Sequence, residues 1–294
     1  MNRSDHTKHS KLQTAGIFTA AVLTFALMIV GILLAPVVGI SSDTKHTEEP
    51  LVNPTPSPTP SAAVSSTPSP TPDTTKTDTG HTLKQEEDGN WYIDENEYLI
   101  IVNKSYRLSE NYSPGDLIYA DICSTGYCFM RTTAANAFHQ MKNAALEEGI
   151  DLTFSSAFRD ETYQNVLYEQ YIEEEGQEAA DTYSARGGYS EHETGLVVDM
   201  LSVSNPESAF DTYAFAQTEE SQWLAAHAHE YGFILRYPEG KEEITGYMYE
   251  SWHYRYVGVE EAAAIHNAGE NISMEEYYAF KGGTIYAEEK AEDQ

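Results

Sequence analysis

The sequence predicts an α+β domain: a mostly antiparallel sheet with helices packed against it, preceded by a transmembrane helix and a disordered linker. Three observations predict it. Short apolar or aromatic runs recur at 98–102 (YLIIV), 152–158 (LTFSSAF), 195–201 (GLVVDML), 232–237 (GFILRY) and 251–257 (SWHYRYV). Their length and composition are those of strands. Longer capped segments between some of them read as helices. The runs do not alternate strictly with helices, which argues against a parallel sheet and for antiparallel pairing.

The chain opens on residues 1–14, a cytoplasmic tail carrying Arg3, Lys8 and Lys11. Residues 15–40 (AGIFTAAVLTFALMIVGILLAPVVGI) contain no charged side chain. About 20 apolar residues span a bilayer, so this run is long enough. A cleaved signal peptide usually has a shorter apolar region, and an uncleaved anchor is the favoured reading. The basic tail then stays in the cytoplasm and everything after residue 40 lies outside, facing the cell wall. Residues 41–88 include VNPTPSPTPSAAVSSTPSPTPD. Such a segment buries too little apolar surface to offset its chain entropy and reads as an extended, disordered linker. Ordered structure is expected from about Trp91, within a domain spanning 89–294.

Inside that domain, 131–149 (RTTAANAFHQMKNAALEEG) reads as a helix ending at Gly149. The run 152–158 is a strand, and 161–176 (ETYQNVLYEQYIEEEG) a helix. The continuous apolar run at 195–201 is a strand buried on both faces. Residues 218–232 (TEESQWLAAHAHEYG) form a helix with acids in its first turn and a glycine at its end. Strands at 232–237 and 251–257 follow, then two short helices. The second opens on the capping box Ser273-Met274-Glu275-Glu276. Cys123 and Cys128 are the only cysteines, in DICSTGYCFM. An external domain permits a disulfide across a tight turn. No second cysteine pair exists to complete a structural zinc site.

The chain carries 47 acidic and 17 basic residues, a formal net charge of −30. Phosphate backbones are bound by clustered Lys and Arg, so nucleic acid is excluded as a partner. Of ten histidines, His6, His9, His46 and His81 lie in the tail or linker. His139, His227, His229 and His266 lie on helices and read as surface or satisfied core residues. His192 and His253 remain, at strand ends where a scaffold holds side chains rigidly. With Asp199 they make a set of the kind that binds a catalytic zinc, three protein ligands with one position left open. Glu250 would be the base. In an ideal strand Glu250 and His253 face opposite sides, so Glu250 must precede the strand or a bulge must intervene. By itself, H-x6-D is not a specific pattern.

Four ordered blocks sharpen this: 99–117 (LIIVNKSYRLSENYSPGDL), 155–164 (SSAFRDETYQ), 189–200 (YSEHETGLVVDM) and 223–258, which contains ESWHYR. With them the sequence resembles the VanY-type D-alanyl-D-alanine carboxypeptidases, in the zinc peptidase group that includes lysostaphin-like enzymes and the Hedgehog signalling domain. The resemblance covers about Tyr98 to Tyr278. It implies that His192, Asp199 and His253 bind Zn2+, and that Glu250 is the catalytic base. It also implies that Arg159 stabilises the oxyanion and that Gln164 and Ser190 line the substrate pocket. The implied reaction removes the terminal D-Ala from a stem peptide ending in D-Ala-D-Ala, using zinc-activated water. Cleavage of another bond, by an L,D-carboxypeptidase, a D,D-dipeptidase or an endopeptidase, is the alternative. An inactive wall-binding domain is disfavoured, because it has no need of the base. The sequence departs from the family pattern at Phe158, Asp160 and Arg186-Gly187-Gly188. Asp160 is expected to cap a helix rather than compete for Arg159.

Overall fold

The computed structural model describes residues 74–292 except 78, 111 and 270. The anchor expected at 15–40 and most of the linker lie outside the described residues. Among the described residues no helix is long and apolar enough to cross a membrane.

The chain begins with β1 (Thr74–Lys76), β2 (Thr82–Gln85), β3 (Trp91–Ile93) and β4 (Ile100–Ile101), which form a four-stranded sheet in that order. The hairpin β5 (Leu117–Cys123) and β6 (Gly126–Arg131) follows, then α1 (Thr132–Glu147), β7 (Leu152–Ser156) and α2 (Glu161–Glu175). The short α3 (Gln177–Ala180) leads to β8 (Val197–Ser202), and α4 (Thr212–Ala216) and α5 (Glu219–His227) to β9 (Phe233–Leu235). After α6 (Glu242–Thr245) come β10 (His253–Tyr256), α7 (Val259–Ala268), α8 (Met274–Tyr278) and α9 (Ala287–Glu292). The central sheet has the order β7-β8-β10-β9, and every pairing within it is antiparallel. The expected class therefore holds for the described residues.

Two cores hold the elements together. One face of the central sheet (Phe154, Val198, Met200, Phe233, Tyr254) packs against Phe138 and Met141 of α1 and against Leu224 of α5. The second core joins the N-terminal sheet to the C-terminal helices through Leu83, Ile93, Ile101, Ile234, Ile265, Met274 and Tyr278.

This second core corrects the expected start of order. Strands β1 and β2 lie inside the segment read as linker, and Leu83 is buried. His81, set aside as a linker residue, bonds Asp94 at 2.6 Å and meets the Tyr278 ring edge-on at 4.9 Å. The alternation of β2 is too short to rise above the polar composition around it. Its burial comes from a core that also draws on residues more than 150 positions away, Ile265, Met274 and Tyr278. Two further boundaries differ. Residues 97–99 form a 3-10 turn, because the Asn96 side chain accepts from the Tyr98 amide at 2.9 Å, and only Ile100–Ile101 extends. The helix expected over 218–232 ends at His227 and tightens to a 3-10 turn over Ala228–Tyr231.

Cys123 and Cys128 are joined in a disulfide across the β5–β6 turn. The capping box at Ser273 is present, with the Glu276 amide donating to Ser273 Oγ at 3.2 Å.

If β2 is part of the fold, Leu83→Ala removes buried apolar volume. It is expected to lower unfolding stability by about 2–3 kcal/mol, read as a lower urea midpoint. An unchanged midpoint would return β2 to the linker.

Candidate active site

The register of the central sheet builds the site. His253 is paired opposite Asp199 between β10 and β8, and an irregularity in β7 sets Ser156 beside Asp199 on the other flank. Ser156, Asp199 and His253 thus form one row across three strands. Val198 and Met200 point the other way, into the first core, as the period of two requires. That is the physical reason for an apolar strand bearing a carboxylate.

His192 reaches this row from a 3-10 turn, Glu191–Thr194. Ser190 caps the turn, and its Oγ accepts from the His192 amide at 3.3 Å. The Glu193 side chain returns to the Gly188 amide at 2.8 Å. Gly195 closes the turn with φ +68, and a Cβ there would lie 2.8 Å from Leu117 Cδ2. Glycine meets both demands without strain.

The three side chains converge. Potential ligand atoms of His192, Asp199 and His253 lie within 4.8 Å of one another, and all three residues are buried. His192 Nε2 is 3.1 Å from Asp199 Oδ2, and His253 Nδ1 is 3.0 Å from Asp199 Oδ1. His192 Nδ1 lies 2.5 Å from the Ala157 carbonyl. That carbonyl needs a donor, so Nδ1 carries the proton and Nε2 offers its lone pair to the centre. Two imidazoles and one carboxylate with fixed tautomers fit a three-ligand zinc centre.

Glu250 lies just before β10, as parity required. Its amide donates to Tyr237 O and its carbonyl accepts from the His253 amide, both at 3.1 Å. This turn brings a Glu250 carboxylate oxygen to 3.6 Å from His253 Nδ1.

Arg159 follows β7. It donates to Ser156 Oγ at 2.6 Å and stands 3.6 Å from Asp199 Oδ2. Gln164 is buried and accepts from Arg159 Nε at 2.9 Å, while its own amide donates to Ala185 O at 2.7 Å. Gln164 and Ser190 both line the cleft with the other predicted residues. Their polar atoms, however, hold Arg159 and cap the His192 turn. Asp160 caps α2 by accepting from the Tyr163 amide at 2.8 Å, as expected.

The shifts describe the centre without a metal, where His253 holds a proton that a bound cation would displace. Burial pushes the Glu250 carboxyl up to about 8, against the pull of His253. Burial also lowers His192, to about 4, with Arg159 adding to the effect. Asp199 is held well below the carboxylate range: burial opposes its charge, but the neighbouring imidazoles outweigh it. His253 rises to about 9, because Asp199 and Glu191 outweigh its desolvation.

Sequence reasoning missed Glu191, Arg236, Arg255 and Glu275. Arg255 Nη1 and Arg236 Nε each donate to Glu191 Oε1 at 2.8 Å. Arg236 also grips Glu275 with two bonds, at 2.8 and 2.6 Å. All four are buried. Glu191 Oε2 and His253 Nε2 face each other at 3.6 Å, and among the described residues neither has another partner. With a proton on Nε2 aimed at Glu191, Nδ1 is the nitrogen that a bound cation would take, in place of its 3.0 Å contact with Asp199. The available signal was the arginine two residues after His253, which strand period places on the same face as the histidine.

The model of the family VanY, D-alanyl-D-alanine carboxypeptidase, matches residues 128–259. YodJ of Bacillus subtilis, provisionally named a carboxypeptidase, is 34% identical over 81% of this chain and 84% of its own. This chain belongs to the VanY family. A second relative is the bifunctional D-Ala-D-Ala dipeptidase and carboxypeptidase VanXYC of Enterococcus gallinarum. It is 31% identical over 64% of this chain and 96% of its own. Among solved structures, the LdcB LD-carboxypeptidase superposes with a TM-score of 0.56 at 36% identity. That match covers 66% of this chain and 92% of LdcB. The VanY-family assignment makes this chain a peptidoglycan peptidase of carboxypeptidase type.

Two outcomes test the centre. His192→Ala should bring bound zinc well below one per chain after dialysis, measured by metal analysis. Glu191→Gln should weaken zinc affinity by about 10–100-fold in chelator competition, measured at a temperature where circular dichroism shows the less stable variant still folded. Unaltered affinity in both would remove the ligand set.

Proposed function

We propose that this protein is a zinc-dependent, membrane-anchored carboxypeptidase that releases the C-terminal D-alanine of peptidoglycan stem peptides outside the cell. The observation that carries this reading is the convergence of His192, Asp199 and His253 with Glu250 at 3.6 Å from the same imidazole. A structural ion pair has no use for a further buried carboxylate whose proton affinity is raised towards neutrality.

A zinc ion held by His192, Asp199 and His253 would supply Lewis-acid polarisation of the scissile carbonyl and acidify a water. Glu250 accepts the proton of the attacking water and returns it to the departing D-alanine amine. Arg159, clamped by Ser156 and Gln164, presents positive charge where the carbonyl oxygen becomes negative. Asp160, occupied at the helix cap, leaves that charge free to act. The uncharged run at 15–40 is the proposed anchor, and the segment after it spaces the domain from the membrane towards the wall.

For the bond cleaved, the resemblance of the motifs favours the D-Ala-D-Ala end of a pentapeptide. The likeness to the LdcB LD-carboxypeptidase favours the D-Ala end of a tetrapeptide. Both readings share the same chemistry and the same product.

The purified full chain is expected to release D-alanine from one or both stem peptides, with mass spectrometry naming the bond. EDTA should stop the release and added zinc restore it. Glu250→Gln should lower kcat at least about 100-fold while zinc stays bound. Release of D-alanine undiminished by EDTA would refute the zinc mechanism.

A further inference from the structure

The outer face of the β5–β6 hairpin is aromatic and open to solvent. Tyr119, Ile122, Tyr127 and Phe129 are 44%, 65%, 78% and 42% exposed. Three residues apart on one strand, Tyr119 and Ile122 would ordinarily face opposite sides. The register shift between Tyr119 and Asp121 turns them to the same side, opposite Phe129 and Tyr127 respectively. Tyr119 meets the Tyr127 ring at 5.9 Å and the Phe129 ring at 6.4 Å, both edge-on. The four side chains form one exposed aromatic and aliphatic cluster. The inner face (Ala120, Cys123, Cys128, Met130) is sunk in the first core and crossed by the disulfide. The hairpin is therefore a rigid platform, and an exposed apolar cluster of this kind marks a binding surface.

Its position identifies the occupant. Thr125, at the hairpin turn, lines the catalytic cleft and bonds Ser155 O at 3.1 Å. Tyr127 is two residues further on. The Phe129 carbonyl accepts from the amide of Phe158, the residue before Arg159, at 3.0 Å. We infer that this platform binds the glycan strand that carries the stem peptide, with Tyr119 and Tyr127 stacking on the C–H faces of its N-acetylated sugars. The inference rests on the function proposed above. A stem of four or five residues spans roughly 15 Å when extended, and a six-residue strand such as β6 roughly 20 Å. A scissile bond in the cleft thus leaves the first sugar within the length of the platform. Tyrosine suits this ligand, because its ring covers an apolar face while its hydroxyl meets the polar rim. An anionic lipid surface fits poorly: the chain carries a net charge of −30, which repels it.

The test compares two substrates with the purified full chain: the free stem peptide, and the same peptide still joined to its disaccharide. Tyr119→Ser/Tyr127→Ser should raise KM for the disaccharide-peptide about tenfold, with KM and kcat for the free peptide unchanged. Tyr127→Phe, which keeps the ring and loses only the hydroxyl, should raise KM for the disaccharide-peptide less than the double variant does. An equal change on both substrates, or none on either, overturns the inference. So does a wild-type dimer in sedimentation that the double variant dissolves, since the face would then belong to a second copy. Failure of the proposed activity is read separately, from wild type on the free peptide. In that event, calorimetry with a peptide-free glycan oligosaccharide decides the platform: binding lost in the double variant upholds it, and no binding by wild type overturns it.

Discussion

Glu191 is the residue on which the rest of the site depends. A carboxylate buried without partners would be prohibitively costly. Two arginines, Arg236 and Arg255, compensate it, and Glu275 compensates the second positive charge. The four charges cancel, and each member belongs to a different stretch of chain: the His192 turn, the end of β9, strand β10 and helix α8. Removing any one strands a buried charge, a loss typically of about 3–5 kcal/mol. The cluster thus locks the His192 turn against β10, which carries His253.

Asn103 extends the lock by donating to Glu275 at 3.1 Å and to Lys281 O at 3.0 Å. The N-terminal sheet and the C-terminal helices are consequently not accessory. They enclose the cluster and supply part of it, and the second hydrophobic core seals that side from water. Dry surroundings strengthen each ion pair. The same dryness raises Glu250 and depresses His192, so the packing that stabilises the fold also tunes the chemistry.

On the opposite flank the hairpin has two separate duties. Its inner face completes the main core, and its turn forms part of the cleft wall through Thr125. The bulge in β5 gathers Tyr119 and Ile122 on one outward face, two residues from the turn that meets the cleft.

The sequence by itself determined a good deal here. Strand and helix periods, caps and the glycine after His192 are local signals, because they reflect backbone preferences within a few residues. They were enough to place the strands of the central sheet, the capped helices and the antiparallel class. The motifs carrying His192, Asp199, His253 and Glu250 were legible because each lies within a short, ordered block. What only the tertiary structure decided is long-range. Leu83 reads as linker until the second core, with Ile93, Ile265 and Tyr278 among its members, takes it in. Gln164 and Ser190 read as pocket residues and do line the cleft, but only their partners show them also bracing Arg159 and the His192 turn. Glu191 and Arg236 are unremarked charges until burial brings them together. A charge or a lone leucine has no local preference strong enough to announce its environment. Its role is set by the neighbours that folding brings, and those are many residues away.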